Sequence, residues 1–305
     1  MRLLAGGALF LFSYSQIFFE FGSLPAPLIG LFWLAFFLGL SLICDSITLW
    51  INKTSLLQTL TRKRSRFLLF IFTTTTAAIL LDGTASWLAK LWFYPYNSVT
   101  TYLIVFVPAF WLYLLMIAES YLASKAVIDL IRRGRTQIGH SFRGESRAYE
   151  LLGAVGLLLI ALGSMAAINS YAEKGGYFFN NVSEAALRGN FLWVVAISIG
   201  VWFTLEFFEH YQHRSSLLKD LIHHYPSPLL AIISGSLIVG LALESLNTIH
   251  HAWIYQNWPW QEYQFLGIPV AVFIGWPLHY IVFLSLFRVL MKKESEEVWK
   301  SDLIK

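Results

Sequence analysis

Apolar positions along this chain do not alternate. They run in long blocks, separated by short polar stretches rich in Lys and Arg. A helix crosses a bilayer core with about 17 to 25 mainly apolar residues. Eight blocks meet that length: 3–19, 28–51, 67–88, 99–122, 149–170, 191–208, 228–249 and 265–290. They leave no room for a soluble domain. The pattern predicts an all-α polytopic membrane protein with eight transmembrane helices. The first block follows Met1 and Arg2 like a signal peptide, but no small-x-small cleavage site ends it, so it is read as a retained span.

Charge sets the direction. All 22 Lys and Arg except Lys90, Lys174 and Arg188 fall on one side of this eight-span arrangement. Basic residues accumulate in cytoplasmic loops, so both termini are expected in the cytoplasm. Composition agrees with a lipid solvent: 57% of residues are hydrophobic, 13% are charged and mean hydropathy is +0.60, against about 25% charged in soluble domains. The net charge of +4 is therefore read as topology anchoring, with the basic stretch 132–147 touching anionic lipid, and no nucleic-acid partner is expected. The single cysteine, Cys44, excludes an internal disulfide and any Cys-based zinc site. Asn52-Lys-Thr and Asn181-Val-Ser match the glycosylation sequon, a weak pattern. The expected location is a bacterial cytoplasmic (inner) membrane.

Shifting the chain by 161 positions brings polar and aromatic residues into register. Asp45 meets Glu206. Lys53-Thr54-Ser55-Leu56-Leu57 meets Arg214-Ser215-Ser216-Leu217-Leu218. Thr73 and Thr75 meet Ser234 and Ser236, Trp92-Phe93-Tyr94 meets Trp253-Ile254-Tyr255, and Pro108 meets Pro269. This predicts two parallel four-helix repeats, 1–147 and 148–305, in one membrane domain. Parallel repeats are related by an axis along the membrane normal, and transporters built this way place their site between the halves.

Asp82 lies some fifteen residues into the third span and Glu244 some sixteen into the seventh. A centrally placed acid costs about 2.5–3.5 kcal/mol on insertion scales, so it faces a protein interior or cavity and is a functional candidate. Glu244, Asn247 and His251 share one helical face, as do Asp82, Ser86 and Lys90. Each acid precedes an aromatic pair, Trp92 with Tyr94 and Trp253 with Tyr255. The candidate catalytic residues are Asp82, Glu244, Asn247 and His251; the candidate substrate-binding residues are Trp92, Tyr94, Trp253 and Tyr255. The alternatives are packing hydrogen bonds for the acids and an interfacial aromatic belt for the rings. At the 161 offset Asp82 meets Leu243 rather than Glu244, and one residue is about 100° of α-helix, so the carboxylates need not point alike. Glu209, His210, His213 and His223 form an alternative cytoplasmic metal cluster; solvated loop histidines are preferred and no metal is expected. His279 is read as a hydrogen-bonded core residue. No cofactor motif, P-loop, G-x-S-x-G or H-E-x-x-H occurs.

The order Arg214, Ser216-Leu217-Leu218, Glu244, Asn247, Trp253, Tyr255, Gly267, Pro269 resembles a set of uncharacterised bacterial multispan proteins over roughly the last 90 residues, with a degenerate copy in the first half. More distantly it is similar to carotenoid-modifying membrane proteins, the small-subunit lycopene cyclases and carotenoid hydratases. Those cyclases carry further carboxylates after the proline; here Pro108 precedes Ala-Phe-Trp and Pro269 precedes Val-Ala-Val. The resemblance implies an apolar, isoprenoid-like ligand. Three functions follow as expectations: acid chemistry on a lipid or isoprenoid, proton- or cation-coupled transport of a small solute, or a structural and assembly role. Unbroken spans count against transport.

Overall fold

The computed structural model describes residues 1–20, 26–95, 106–132, 145–173, 190–212 and 216–291. His213, Arg214, Asn181, Lys174, Arg188 and much of the basic stretch lie outside them. The elements in chain order are α1 (Arg2–Glu20), α2 (Ala26–Asn52), the short α3 (Leu56–Arg62), and α4 (Arg64–Ala77), which continues as a π-helix (Ala78–Leu88). Then come β1 (Trp92–Phe93), α5 (Val107–Ile131), α6 (Glu145–Glu173), α7 (Asn190–Tyr211) and the short α8 (Leu217–Ile222). Last are α9 (Ser227–His250), β2 (Ile254–Tyr255), β3 (Gln264–Phe265), β4 (Ile268–Pro269) and α10 (Val270–Met291).

Seven helices among the described residues are long and apolar enough to cross a membrane. The chain is thus a multi-pass, all-α membrane protein. The expected fourth span differs from these seven: α5 is buried over every residue from Leu114 to Ala123, with Glu119 at 0% exposure. It is a central helix enclosed by other helices.

α1 packs on α2 and α6 on α7, and glycine permits both approaches. A Cβ on Gly39 would stand 2.6 Å from the Phe10 nitrogen, and one on Gly200 would stand 2.7 Å from the Gly156 carbonyl oxygen. α5 packs against α2 and α9, while α10 packs against α7, α9 and α4. The short helices start on serine caps: Ser55 Oγ accepts from the Gln58 N–H and Ser216 Oγ from the Lys219 N–H, each at 3.3 Å. Buried carboxylates also sit at these starts, where free N–H groups and the helix dipole favour negative charge. Leu57 N–H donates to Glu119 Oε1 at 2.9 Å, and Leu218 N–H donates to Glu206 at 3.3 Å.

At the opposite end, β1 and β2 pair antiparallel, Trp92 against Tyr255 and Phe93 against Ile254. β3 and β4 form a hairpin around Leu266 (φ 53°) and Gly267 (φ 70°). Two consecutive positive φ values make the tight turn whose twist suits a hairpin, and glycine adopts it without strain. We call this the strand end.

Candidate functional site

The strand end assembles two similar clusters. In the first, Trp92 Nε1 (3.1 Å) and Tyr94 Oη (2.7 Å) both donate to Asp82 Oδ1. Ser86 Oγ, bonded to the Asp82 carbonyl at 2.6 Å, also reaches Oδ2 at 3.3 Å. In the second, Tyr255 Oη and Trp276 Nε1 (3.3 Å) donate to Glu244 Oε1, and the Trp253 indole stands beside the same pair. Asn247 Nδ2 lies 3.5 Å from Oε2, and Asn247 Oδ1 accepts the Trp253 backbone N–H at 3.1 Å. Asp82 is 4% exposed and Glu244 0%. Buried acids thus receive the hydrogen bonds that hydrocarbon withholds.

The π-helix removes the misfit in spacing. Asp82 precedes Ser86, Trp92 and Tyr94 by one residue more than Glu244 precedes Asn247, Trp253 and Tyr255. A π-helix closes i→i+5 bonds, as Ala89 N–H to the Thr84 carbonyl at 2.9 Å does, and so fits an extra residue per turn. Each acid meets its own indole–phenol pair, and the two carboxylates differ in outlook, since Asp82 lines the cavity described below and Glu244 does not. The clusters touch through Trp92 and Tyr255, whose rings meet edge-on with centroids 6.4 Å apart. The second-half loop is tied to the first half below this contact: Asn257 Nδ2 donates to the Lys90 carbonyl at 2.7 Å, and Trp258 Nε1 to the Leu91 carbonyl at 2.9 Å. Burial lowers the Lys90 ammonium below the usual lysine range.

Beneath the clusters lies a cavity of about 540 Å³, with α2, α5, α7 and α10 supplying most of its wall. Its wall is mainly apolar and aromatic. Asp82, Trp92, Tyr94, Trp253 and Tyr255 line it, whereas Glu244 stands behind its partners. Of the expected residues, only His251 stands apart. It ends α9 in a left-handed conformation (φ 48°), is exposed, and is not among the groups bonded to Glu244. Four lining residues came without a local signal: Trp33, Tyr113, Trp276 and His279. Each lies on another helix, and nothing in the spacing around the acids points to it.

Of the alternative metal cluster, the described members Glu209, His210 and His223 have separate partners. Glu209 pairs with Arg288, Oε1 to Nε at 2.6 Å. His210 and His223 both face Glu145, at 4.0 and 3.9 Å, and His210 stacks on Tyr149. No group of three such residues among those described could hold a metal ion. Nearby on α8, burial raises the Asp220 carboxyl from 3.8 to about 7, despite the opposing pull of Arg288 and Lys125.

Comparison with protein-family models, with curated proteins and with solved structures finds no match to this chain.

Proposed function

We propose that this multi-pass protein binds, and by acid chemistry modifies, an apolar lipid- or isoprenoid-like molecule in the strand-end cavity. One observation carries the reading: a mainly apolar cavity of about 540 Å³ roofed by an acid held between an indole and a phenol. Pockets for small molecules are mostly apolar with a few placed polar groups. Asp82 is the acid. Its Oδ1 accepts from Trp92 and Tyr94, and Oδ2, within 3.3 Å of Ser86 Oγ, carries the transferable proton. Protonating a ligand double bond forms a C–H bond and a carbocation and leaves the Asp82 carboxylate, which can take back a proton lost by a neighbouring carbon. The faces of Trp92 and Trp253 suit the intervening cation. The distant likeness to carotenoid-modifying proteins points the same way.

The reading includes eight spans, two parallel units at 1–147 and 148–305, cytoplasmic termini and an inner-membrane location. Several pairings support the duplication. Leu56 and Leu217, which open α3 and α8, stand at the 161 offset, as do the capping serines and the contact glycines Gly39 and Gly200. Phe93 and Ile254, equivalent at that offset, pair with each other across the ladder.

The test is mass spectrometry of the purified protein for a retained lipid or pigment. A bound apolar molecule in the wild type, lost or chemically unchanged in Asp82→Asn, is expected. Full activity in Asp82→Asn ends the acid mechanism. Coupled transport is the second reading, favoured by the π-helix carrying Asp82 and by Pro277 inside α10. Both are irregularities within continuous spans, and helix irregularities accompany transporter sites. Solute uptake by proteoliposomes under a pH gradient selects that reading. A structural role predicts that neither acid affects any activity.

A further inference from the structure

His279 is a polar residue of the cavity wall that the acid clusters do not use. Ala271, Gly275, Leu278, His279 and Val282 line the cavity from one face of α10. His279 stands nine positions past Val270, about 14 Å along the helix from the strand end. Its Nε2 lies 3.4 Å from the hydroxyl of Tyr113 on α5. Tyr113 also packs against Phe37 and Trp276. The imidazole is therefore held in place between the two helices.

A neutral imidazole has one donor nitrogen and one acceptor, and a buried polar atom needs a partner. Nδ1 has no hydrogen-bond partner among the described residues. It is also not among the sealed, unpartnered polar atoms of the interior. The ring is only half-buried, and its free surface lines the cavity. A nitrogen that protein leaves unpaired is open to water or to a ligand.

We propose that His279 Nδ1 is a ligand contact, so the cavity's ligand is not a pure hydrocarbon but an apolar molecule bearing one neutral oxygen, a hydroxyl or a carbonyl. This rests on the cavity being a binding site, as proposed above, and narrows the substrate class. Either group satisfies Nδ1, because Tyr113 can donate to Nε2 or accept from it. The oxygen sits at the deep end, with the apolar body toward the aromatic roof and Asp82.

The test uses the full chain in nanodiscs with two chain-matched probes, hexadecane and hexadecan-1-ol, and bound occupancy read by native mass spectrometry. The wild type is expected to retain the alcohol about five-fold over the alkane, the effect of one net hydrogen bond. His279→Phe keeps ring volume and should bring that ratio to about one with alkane occupancy unchanged. His279→Gln should restore part of the preference. Equal retention of both probes by the wild type, as expected if water satisfies Nδ1, overturns the inference while leaving the cavity reading standing. So does an unchanged ratio in His279→Phe. Retention of neither probe overturns the cavity reading and this one with it.

Discussion

The Asp82 and Glu244 clusters use the same three chemical groups and differ in what lies beyond them. Glu244 is fully enclosed, with Trp276 and Asn247 added to its phenol and indole, and it is absent from the cavity wall. Asp82 rides on a π-helix, has Ser86 as an added partner, and opens onto the cavity. The contrast assigns them different work. Glu244 fastens the roof, and Asp82 meets whatever enters. An acid sealed behind its donors stabilises a fold; one that lines a cavity can also meet a ligand.

That division is breakable. Its largest expected effect is on Glu244→Ala, which strands several buried donors at about 1–3 kcal/mol each. Thermal unfolding should fall steeply, and Glu244→Gln should recover part of the loss. Asp82→Asn should leave the unfolding temperature nearly unchanged and remove ligand turnover or retention. If Asp82→Asn is the more destabilising change, the assignment is reversed. A smaller effect comes from deleting Gly83, which would give the first half the spacing of the second. Circular dichroism and unfolding should show a folded protein, with the π-helix relaxed to α and Trp92 and Tyr94 still on Asp82. Collapse on deletion would mean that the wide turn is required in itself.

The smallest effect lies at the other end of the molecule. Asp220 binds its proton more tightly when folded, so between pH 3.8 and about 7 the folded state holds more protons than the unfolded one. Stability should therefore fall as pH rises through that window and level off above it. Asp220→Asn should flatten the curve of unfolding temperature against pH.

Much of this site is legible in the chain because each acid and its aromatic pair are close in sequence. Asp82 reads with Trp92 and Tyr94, and Glu244 with Asn247, Trp253 and Tyr255, since one helix end and the next loop carry them all. The π-helix is not legible. Ala78 to Leu88 has the composition of any apolar helix, and only the one-residue mismatch against the second half hints at it. Trp276, Tyr113 and His279 are contributed by α10 and α5, which reach the cavity only through tertiary packing, and local periodicity says nothing of partners so distant. His279 looks like core by every local criterion; its second nitrogen is a fact of three dimensions. The seven apolar helices were the easiest to see, because hydropathy reads lipid contact directly. α5 has little such contact, and its distinctness from the others emerges only in the assembled bundle.

The enclosure of α5 bears on how the chain is built. Glu119 at its centre has no place in hydrocarbon, and the helix packs on both α2 and α9. α9 begins at Ser227, nearly a hundred residues after α5 ends. During synthesis α5 therefore emerges well before one wall of its final surroundings exists. Until that wall arrives, α5 needs temporary shelter in the insertion machinery or against α2 alone, and the bundle closes only once the later helices are made.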